Sequence, residues 1–440
     1  MKCLSVILFI CLCSATSAVC SVSGDTESKV DYVAMLNELA KKGRDDSLNA
    51  APFYRKAAEL YIESPTEIEN QDLREWPSEL TNTKQALLRQ WVKSNSNAFA
   101  QLTLGAQKPY YWNQYRGHSV WEIDWPSYLP KLRDVVHATL FRVKLSAMEV
   151  GMTRETVEDI LTCSRFSSHL AQTPNPIVQL VGAKTVDIAA QTVFLCLAKT
   201  DFDRSLMDLL QSSIHEQLSK SQNQTFSLEL EKLKHLEAVQ MLFHGTEDDS
   251  KLKPVEKGAL AARLGDLTDE DMEALRRGRT VQDIEAAFAY CKDFLAMSPW
   301  QAREKGLYFW EDLQKRTGGN PVVRICMFNV PAVARVRAQY GANRDALLTT
   351  LALLRYRHDR GSLPKGLQEL LSTDYLSQLP MDPYSDKPLV YRQTGNNFIL
   401  YSLGGDFDDD GGMHSNWGWG EGGGDYVFWP VQTKSTERED

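Results

Sequence analysis

From residue 28 to about residue 316 almost every segment carries its apolar side chains three or four positions apart. A chain patterned in this way has to fold as helices that bury one face against one another. Val33, Leu36, Leu39 and Ala40 form one such stripe, and Phe53, Ala57, Ala58, Leu60 and Tyr61 another. Asn49-Ala50-Ala51-Pro52 separates them and puts Pro at a helix start, where its missing N–H does no harm. The longest helical tract runs through residues 128–150, 154–172, 176–199, 202–220 and 228–244, with Thr153 and Asp201 as expected N-caps. In the 176–199 segment Ile177, Val181 and Val193 line one side while Val178, Leu180 and Phe194 fill others, which predicts a centrally buried helix. No later segment than the N-terminal one is expected to be apolar enough to span a membrane. The helical segments share no fixed period, so the expectation is an irregular bundle or solenoid without a named repeat.

Helical patterning resumes at 267–277, 281–297 and 299–316, after a charged stretch at 247–257 that is the best candidate for a linker. The Trp-, Tyr- and Pro-rich segment between Trp76 and Pro126 is expected to pack on the helices, with a ligand-facing surface as the other reading. Residues 321–330 suit either a short strand or the start of the last long helix. That helix is expected over 332–359 and stops at Arg360-Gly361-Ser362-Leu363-Pro364, since Gly accepts a left-handed cap and Pro cannot continue. A short helix at 365–371 and strands at 388–393 and 397–403 follow, the strands joined through Thr394-Gly395-Asn396. The fold class expected is therefore mainly α: a helical domain over 28–330, then a small α+β module over 331–430 in which a long helix packs on a short antiparallel sheet. Residues 431–440 form a polar tail, expected to be disordered.

Directly after the second strand comes Asp406-Phe407-Asp408-Asp409-Asp410-Gly411-Gly412, with four carboxylates in five residues and no Lys or Arg between Arg392 and Lys434. Such crowding calls for a cation or for full hydration. Asp406-x-Asp408-x-Asp410-Gly411 matches the first half of a calcium loop, where alternate oxygens point inward and Gly allows the sharp turn. The second half departs from an EF-hand, because the twelfth position is Trp417 and a strand precedes the loop. Asp425, Glu421 or backbone carbonyls are the candidates to complete the shell, and Asp409 is expected to point away. Trp417 and Trp419, set among glycines, either fold back onto the sheet or stack on a partner.

The order of Tyr356-Arg357-His358-Asp359-Arg360-Gly361-Ser362-Leu363-Pro364, Leu379-Pro380-Met381-Asp382-Pro383-Tyr384, Tyr391 and Tyr401-Ser402-Leu403-Gly404-Gly405-Asp406 resembles the soluble domain of the major pseudopilins of type II secretion systems. The whole layout is similar to exported bacterial proteins that carry a pseudopilin-like tail. The resemblance implies a long helix on a small antiparallel sheet and a terminal loop that binds calcium, closed by a late aspartate. On that pattern the metal ligands are Asp406, Asp408, Asp410 and Asp425. A filament subunit is not implied, because the module here ends a large helical protein instead of following a short leader and a polymerising helix.

Residues 1–18 read as an export signal, with Lys2 at the start, an apolar run over 4–13, and Thr16-Ser17-Ala18 for cleavage. The expected localisation is the periplasm, the cell surface or the medium, with membrane attachment only if the signal stays uncleaved. Cys163, Cys196, Cys291 and Cys326 then remain, with Cys20 as a candidate fifth near the new terminus, and none falls in a zinc-binding spacing. Cys196 is expected as a buried thiol, and a Cys291–Cys326 bridge is open. A net charge of −9 argues against nucleic acid as a partner. No nucleophile elbow, zincin helix or phosphate loop occurs. The expected function is an exported, non-catalytic binding or scaffold protein with a protein or glycan partner and a calcium-stabilised C-terminal loop. A metal-dependent hydrolase using the acidic loop is the alternative.

Overall fold

A computed structural model describes residues 29–69, 75–124, 126–221, 226–243, 267–373, 375–417 and 423–431. The signal segment, the 247–257 linker, Trp419, Glu421 and the tail from residue 432 lie outside the described residues. Residues Asp31–Asp440 form one compact unit. The protein is mainly helical, with sixteen α-helices and a three-stranded antiparallel sheet among the described residues.

Four helices open the fold: α1 (Tyr32–Lys41), α2 (Ala51–Leu60), α3 (Asn82–Ser94) and α4 (Ser96–Ala106). Asp31 and Thr81 cap α1 and α3 by accepting from backbone N–H groups three residues on. Helices α2 and α4 approach so closely that a Cβ on Gly105 would sit 2.5 Å from the Tyr54 ring. The Trp- and Tyr-rich segment then wraps the helices, with Tyr111, Tyr115 and Val120 buried.

The central tract is α5 (Leu129–Val150), α6 (Arg154–Ala171), α7 (Pro176–Lys199), α8 (Arg204–Ser221) and α9 (Glu229–Leu242). Thr153 caps α6 as expected, its hydroxyl accepting from the Thr156 N–H. The α8 cap is a correction: Asp203, not Asp201, accepts from the Ser205 N–H, so the helix starts two residues later than the sequence suggested. Helix α7 packs between α6, α5 and a long C-terminal helix. By length and composition alone it is apolar enough to cross a membrane, which overturns the expectation that no later segment would be. Half of its most apolar stretch is nevertheless buried inside the protein, as for a core helix.

Beyond it lie α10 (Asp269–Ala274), α11 (Arg277–Ala296), α12 (Pro299–Glu304), α13 (Phe309–Thr317) and α14 (Pro321–Cys326). The single helix expected over 299–316 is broken at Gly306, whose φ of 60° lets its N–H turn back to the Arg303 carbonyl. Residues 321–326 form a separate helix, where the sequence left a strand or the start of the next helix open. The four cysteines among the described residues are buried free thiols, so the Cys291–Cys326 bridge is absent. Burial pushes the Cys196 and Cys291 thiols up to about 12, which leaves them unreactive at neutral pH.

Helix α15 (Val330–Arg360) ends at Gly361 with φ 73°, as the Gly-Ser-Leu-Pro stop predicted. Then come α16 (Gln368–Ser372), β1 (Val390–Thr394), β2 (Asn397–Ser402) and β3 (Tyr426–Trp429). The sheet order is β1-β2-β3, and Thr394 pairs with Asn397 across a two-residue turn. Strand β3 is an addition to the two strands read from the sequence, and a bulge separates Leu400 from Tyr401 opposite it. One apolar core crosses the boundary expected near residue 330: Val193 and Leu210 from the helices meet Leu351 and Leu354 of α15 and Phe398 and Leu400 of β2. Each such side chain contributes about 2 kcal/mol by leaving water. Asp187 on α7 anchors the same junction, accepting from the buried Asn343 amide of α15.

Two glycines separate space from necessity. Nothing lies within 4 Å of where a Gly341 Cβ would sit, in the interior of α15. Gly341→Ala should therefore raise stability by about 1 kcal/mol through helix propensity. Gly105→Ala, which meets Tyr54, should lower it by about 2 kcal/mol. Urea midpoints of the two variants check both signs.

Candidate functional site

Alternation along the strands gives the sheet two unlike faces. Phe398 and Leu400 point to α15, while Arg392, Ile399 and Tyr401 lie on the other face, where the acidic loop covers them. Gly412 sits against Ile399 and the Tyr401 ring. The loop therefore runs from the end of β2, over the outer face of the sheet, and back to β3.

Its turns use positive φ at Phe407 (66°), Gly411 (76°) and Gly412 (88°). Gly411 and Gly412 bear out the sequence reading of a sharp turn there. Phe407 leaves the loop and packs near the rings of Trp300 and Tyr384, with the Arg303 guanidinium 4.7 Å from its ring centroid. Trp417 folds back: it is 6% exposed and stacks on Tyr426 at 3.9 Å. The Gly405 N–H donates to the Trp417 carbonyl at 2.8 Å, which closes the loop at its waist.

The aspartates divide sharply by environment. Asp408 and Asp410 are exposed, and Asp406 is half-buried. Asp406 Oδ2 accepts from the Gly424 N–H at 2.5 Å, and a Cβ at Gly423 would collide with the same oxygen. Asp409 is committed elsewhere, accepting from the Tyr401 hydroxyl at 2.7 Å and pairing with Arg392 at 3.2 Å. Burial pushes its pKa up, but Tyr401, the Gly411 N–H and Arg392 outweigh that and hold it below the usual carboxylate range. The loop charge that seemed unbalanced along the sequence is thus partly balanced by a cation on β1.

Asp425, the first residue before β3, is fully buried. Its backbone is pinned between Met413 and Ser415, its Oδ2 accepts from the Gly412 N–H at 2.6 Å, and its Oδ1 is buried with no hydrogen-bond partner. Burial, together with the charges of Asp409 and Asp410, pushes its pKa up to about 6 against the pull of the Gly412 and Asp410 N–H groups. A buried carboxylate oxygen without a donor is costly unless a proton or a cation reaches it. Among the described residues, no three carboxylate, imidazole or thiolate side chains already stand at metal-ligand spacing. Of the four sequence candidates, Asp410 and Asp425 interact through their charges.

A second buried carboxylate was quoted in the sequence only as part of a motif. Asp382 accepts from the Ser402 hydroxyl at 2.6 Å, from the Leu403 N–H at 3.0 Å and from the Tyr384 N–H at 3.1 Å. It ties the turn before β1 to the point where β2 becomes the acidic loop. The neighbour pair His358-Asp359 belongs to an ion network: Asp359 pairs with Arg204 at 3.0 Å and accepts from the Tyr375 hydroxyl at 2.7 Å. The chain matches no protein-family model, and comparison with curated proteins and with solved structures finds no match.

Proposed function

We propose that this is an exported, non-catalytic binding or scaffold protein whose pseudopilin-like C-terminal loop is rigidified by Ca²⁺. The observation that carries this reading is the buried, unpartnered Oδ1 of Asp425 behind a loop of three further candidate carboxylates. Asp406, Asp408, Asp410 and Asp425 would hold the ion, with backbone carbonyls completing a shell of about six to eight oxygens. The ion supplies positive charge where the loop has an excess of carboxylates. Since Asp408 and Asp410 are exposed, binding draws them inward and orders the loop over the sheet. The partner is a protein or glycan of the envelope or the medium, and nucleic acid is disfavoured by the net charge of −9.

Calorimetric titration tests the ion. At a concentration tenfold above its Kd, Ca²⁺ should stabilise the protein by about 1.4 kcal/mol, and Asp425→Asn or Asp406→Asn should abolish both the heat and the thermal shift. Absence of either signal at about 1 mM Ca²⁺ would falsify the reading. The pH dependence has a definite sign. Asp425 must lose its proton to bind, so affinity should drop about tenfold between pH 7 and pH 5. Without the ion the folded chain holds that proton more firmly than the unfolded chain, so this group's contribution to stability falls as pH rises from about 4 to about 6. Mass analysis of the protein recovered outside the cytoplasm tests export separately, with cleavage expected just before Val19.

A further inference from the structure

A cleft of about 730 Å³ opens between α6, α7, α8 and α15, and no residue of the acidic loop lines it. Part of its wall is short and apolar, with Ala183 and Val186 from α7, Ala338 and Gly341 from α15, and Leu295 at the end of α11, while Ser164, Ser168 and Gln217 make another part polar. The space beside Gly341 is open, as noted above.

One cation lines this cleft without an acidic partner. The Arg337 guanidinium makes a single hydrogen bond, from Nη1 to the Leu295 carbonyl at 2.9 Å, and lies 5.3 Å from the Phe226 ring centroid. No carboxylate pairs with it among the described residues, and burial alone lowers its pKa. The cleft's other arginine, Arg344, is neutralised by Asp345 at 2.7 Å. A partly desolvated guanidinium with free donors is expensive to keep unless an anion visits it.

We propose that the cleft binds an amphipathic monocarboxylate, its headgroup on Arg337 and its hydrocarbon along the alanine-lined wall. The guanidinium fork matches a carboxylate in two parallel hydrogen bonds. A phosphate dianion would need a second uncompensated cation, and Arg344 is already paired. The volume falls in the range of small-ligand sites. This site is independent of the calcium loop.

The test is calorimetric titration of the full-length protein with decanoate, with EDTA present so that the loop plays no part. Decanoate should bind, and decanol, equal in length but uncharged, should bind at least about tenfold more weakly. Arg337→Gln should lose about tenfold or more in decanoate affinity, and Arg337→Lys should lose less. Ala338→Trp, which keeps the charge and fills the wall, should abolish binding, and it carries the test if Arg337→Gln does not fold by circular dichroism. No decanoate binding to the wild type, equal affinity for decanol, or undiminished binding by Arg337→Gln or a folded Ala338→Trp would each overturn the proposal.

Discussion

Lys144→Met is expected to stabilise the protein at pH 6 and to flatten its stability profile between pH 7 and pH 9. Lys144 is 2% exposed on α5, donates to the Glu75 carbonyl at 2.9 Å, and sits 5.0 Å from the Phe141 ring centroid. Burial lowers its pKa from 10.5 to about 7, against the smaller pull of Cys196, Glu79 and Glu75. The unfolded chain keeps the proton to well above pH 9, while the folded chain releases it near 7. Over that window the unfolded state binds more protons, so stability rises with pH by about 1.4 kcal/mol per pH unit. Below pH 7 the charged, buried ammonium costs the folded state about 5 kcal/mol as a ceiling. Methionine fills the same volume without a charge, though it leaves the Glu75 carbonyl without this donor, at about 1 to 3 kcal/mol. The net expectation is a gain of about 2 kcal/mol at pH 6 that disappears toward pH 9. Urea unfolding of both proteins at pH 6, 7, 8 and 9 reads it. Parallel profiles with no change in slope would mean that Lys144 stays protonated throughout.

The parts of this fold that were legible in the sequence are those with local causes. Helix α7 begins at Pro176 because Asn175 accepts from the Ile177 N–H, and both residues announce a start. The stop after Arg360 was legible for the same reason, as Gly361 needs no partner to adopt its left-handed turn. The α8 cap was misplaced because Asp201 and Asp203 are equally good local signals, and the second is the one that accepts from the first turn of the helix. Strand β3 was missed as a strand because Tyr426-Val427-Phe428-Trp429 shows no polar alternation; both of its faces are covered, and its pairing with β2 crosses a long loop.

The same division holds at the sites. Spacing alone picked out Asp406, Asp408 and Asp410, since all three fall within five residues of one local turn. That Arg392 answers Asp409 follows only from the hairpin register, which puts Arg392 and Tyr401 on one face of the sheet. Arg337 looks, in sequence, like any exposed arginine on a helix. Its isolation follows from the neutralisation of Arg344 by Asp345 and from the small side chains that leave the cleft open.

Asp382→Ala is expected to lower stability by about 4 kcal/mol, the largest loss from any single polar side chain in the C-terminal region. Asp382 is 1% exposed, and its two oxygens accept from Ser402, Leu403, Tyr384 and, at 3.5 Å, Ser385. Truncation strands these donors in a site closed to water. Burial raises its pKa above the ordinary carboxylate range despite those four donors, so the carboxylate is retained at a cost and its worth lies in the groups it satisfies. Asp382→Asn keeps the volume but offers one acceptor oxygen and turns an amide NH₂ toward donors, so about 2 kcal/mol should be lost. Because Asp382 joins the turn before β1 to the root of the acidic loop, amide exchange should quicken first across β1, β2 and residues 403–412, while α5 and α6 keep their protection. Uniform loss of protection over the whole chain would mean instead that the C-terminal region unfolds only together with the helical body. That is the outcome the continuous core through Leu351 and Phe398 would produce if it, and not the Asp382 hydrogen bonds, sets local stability.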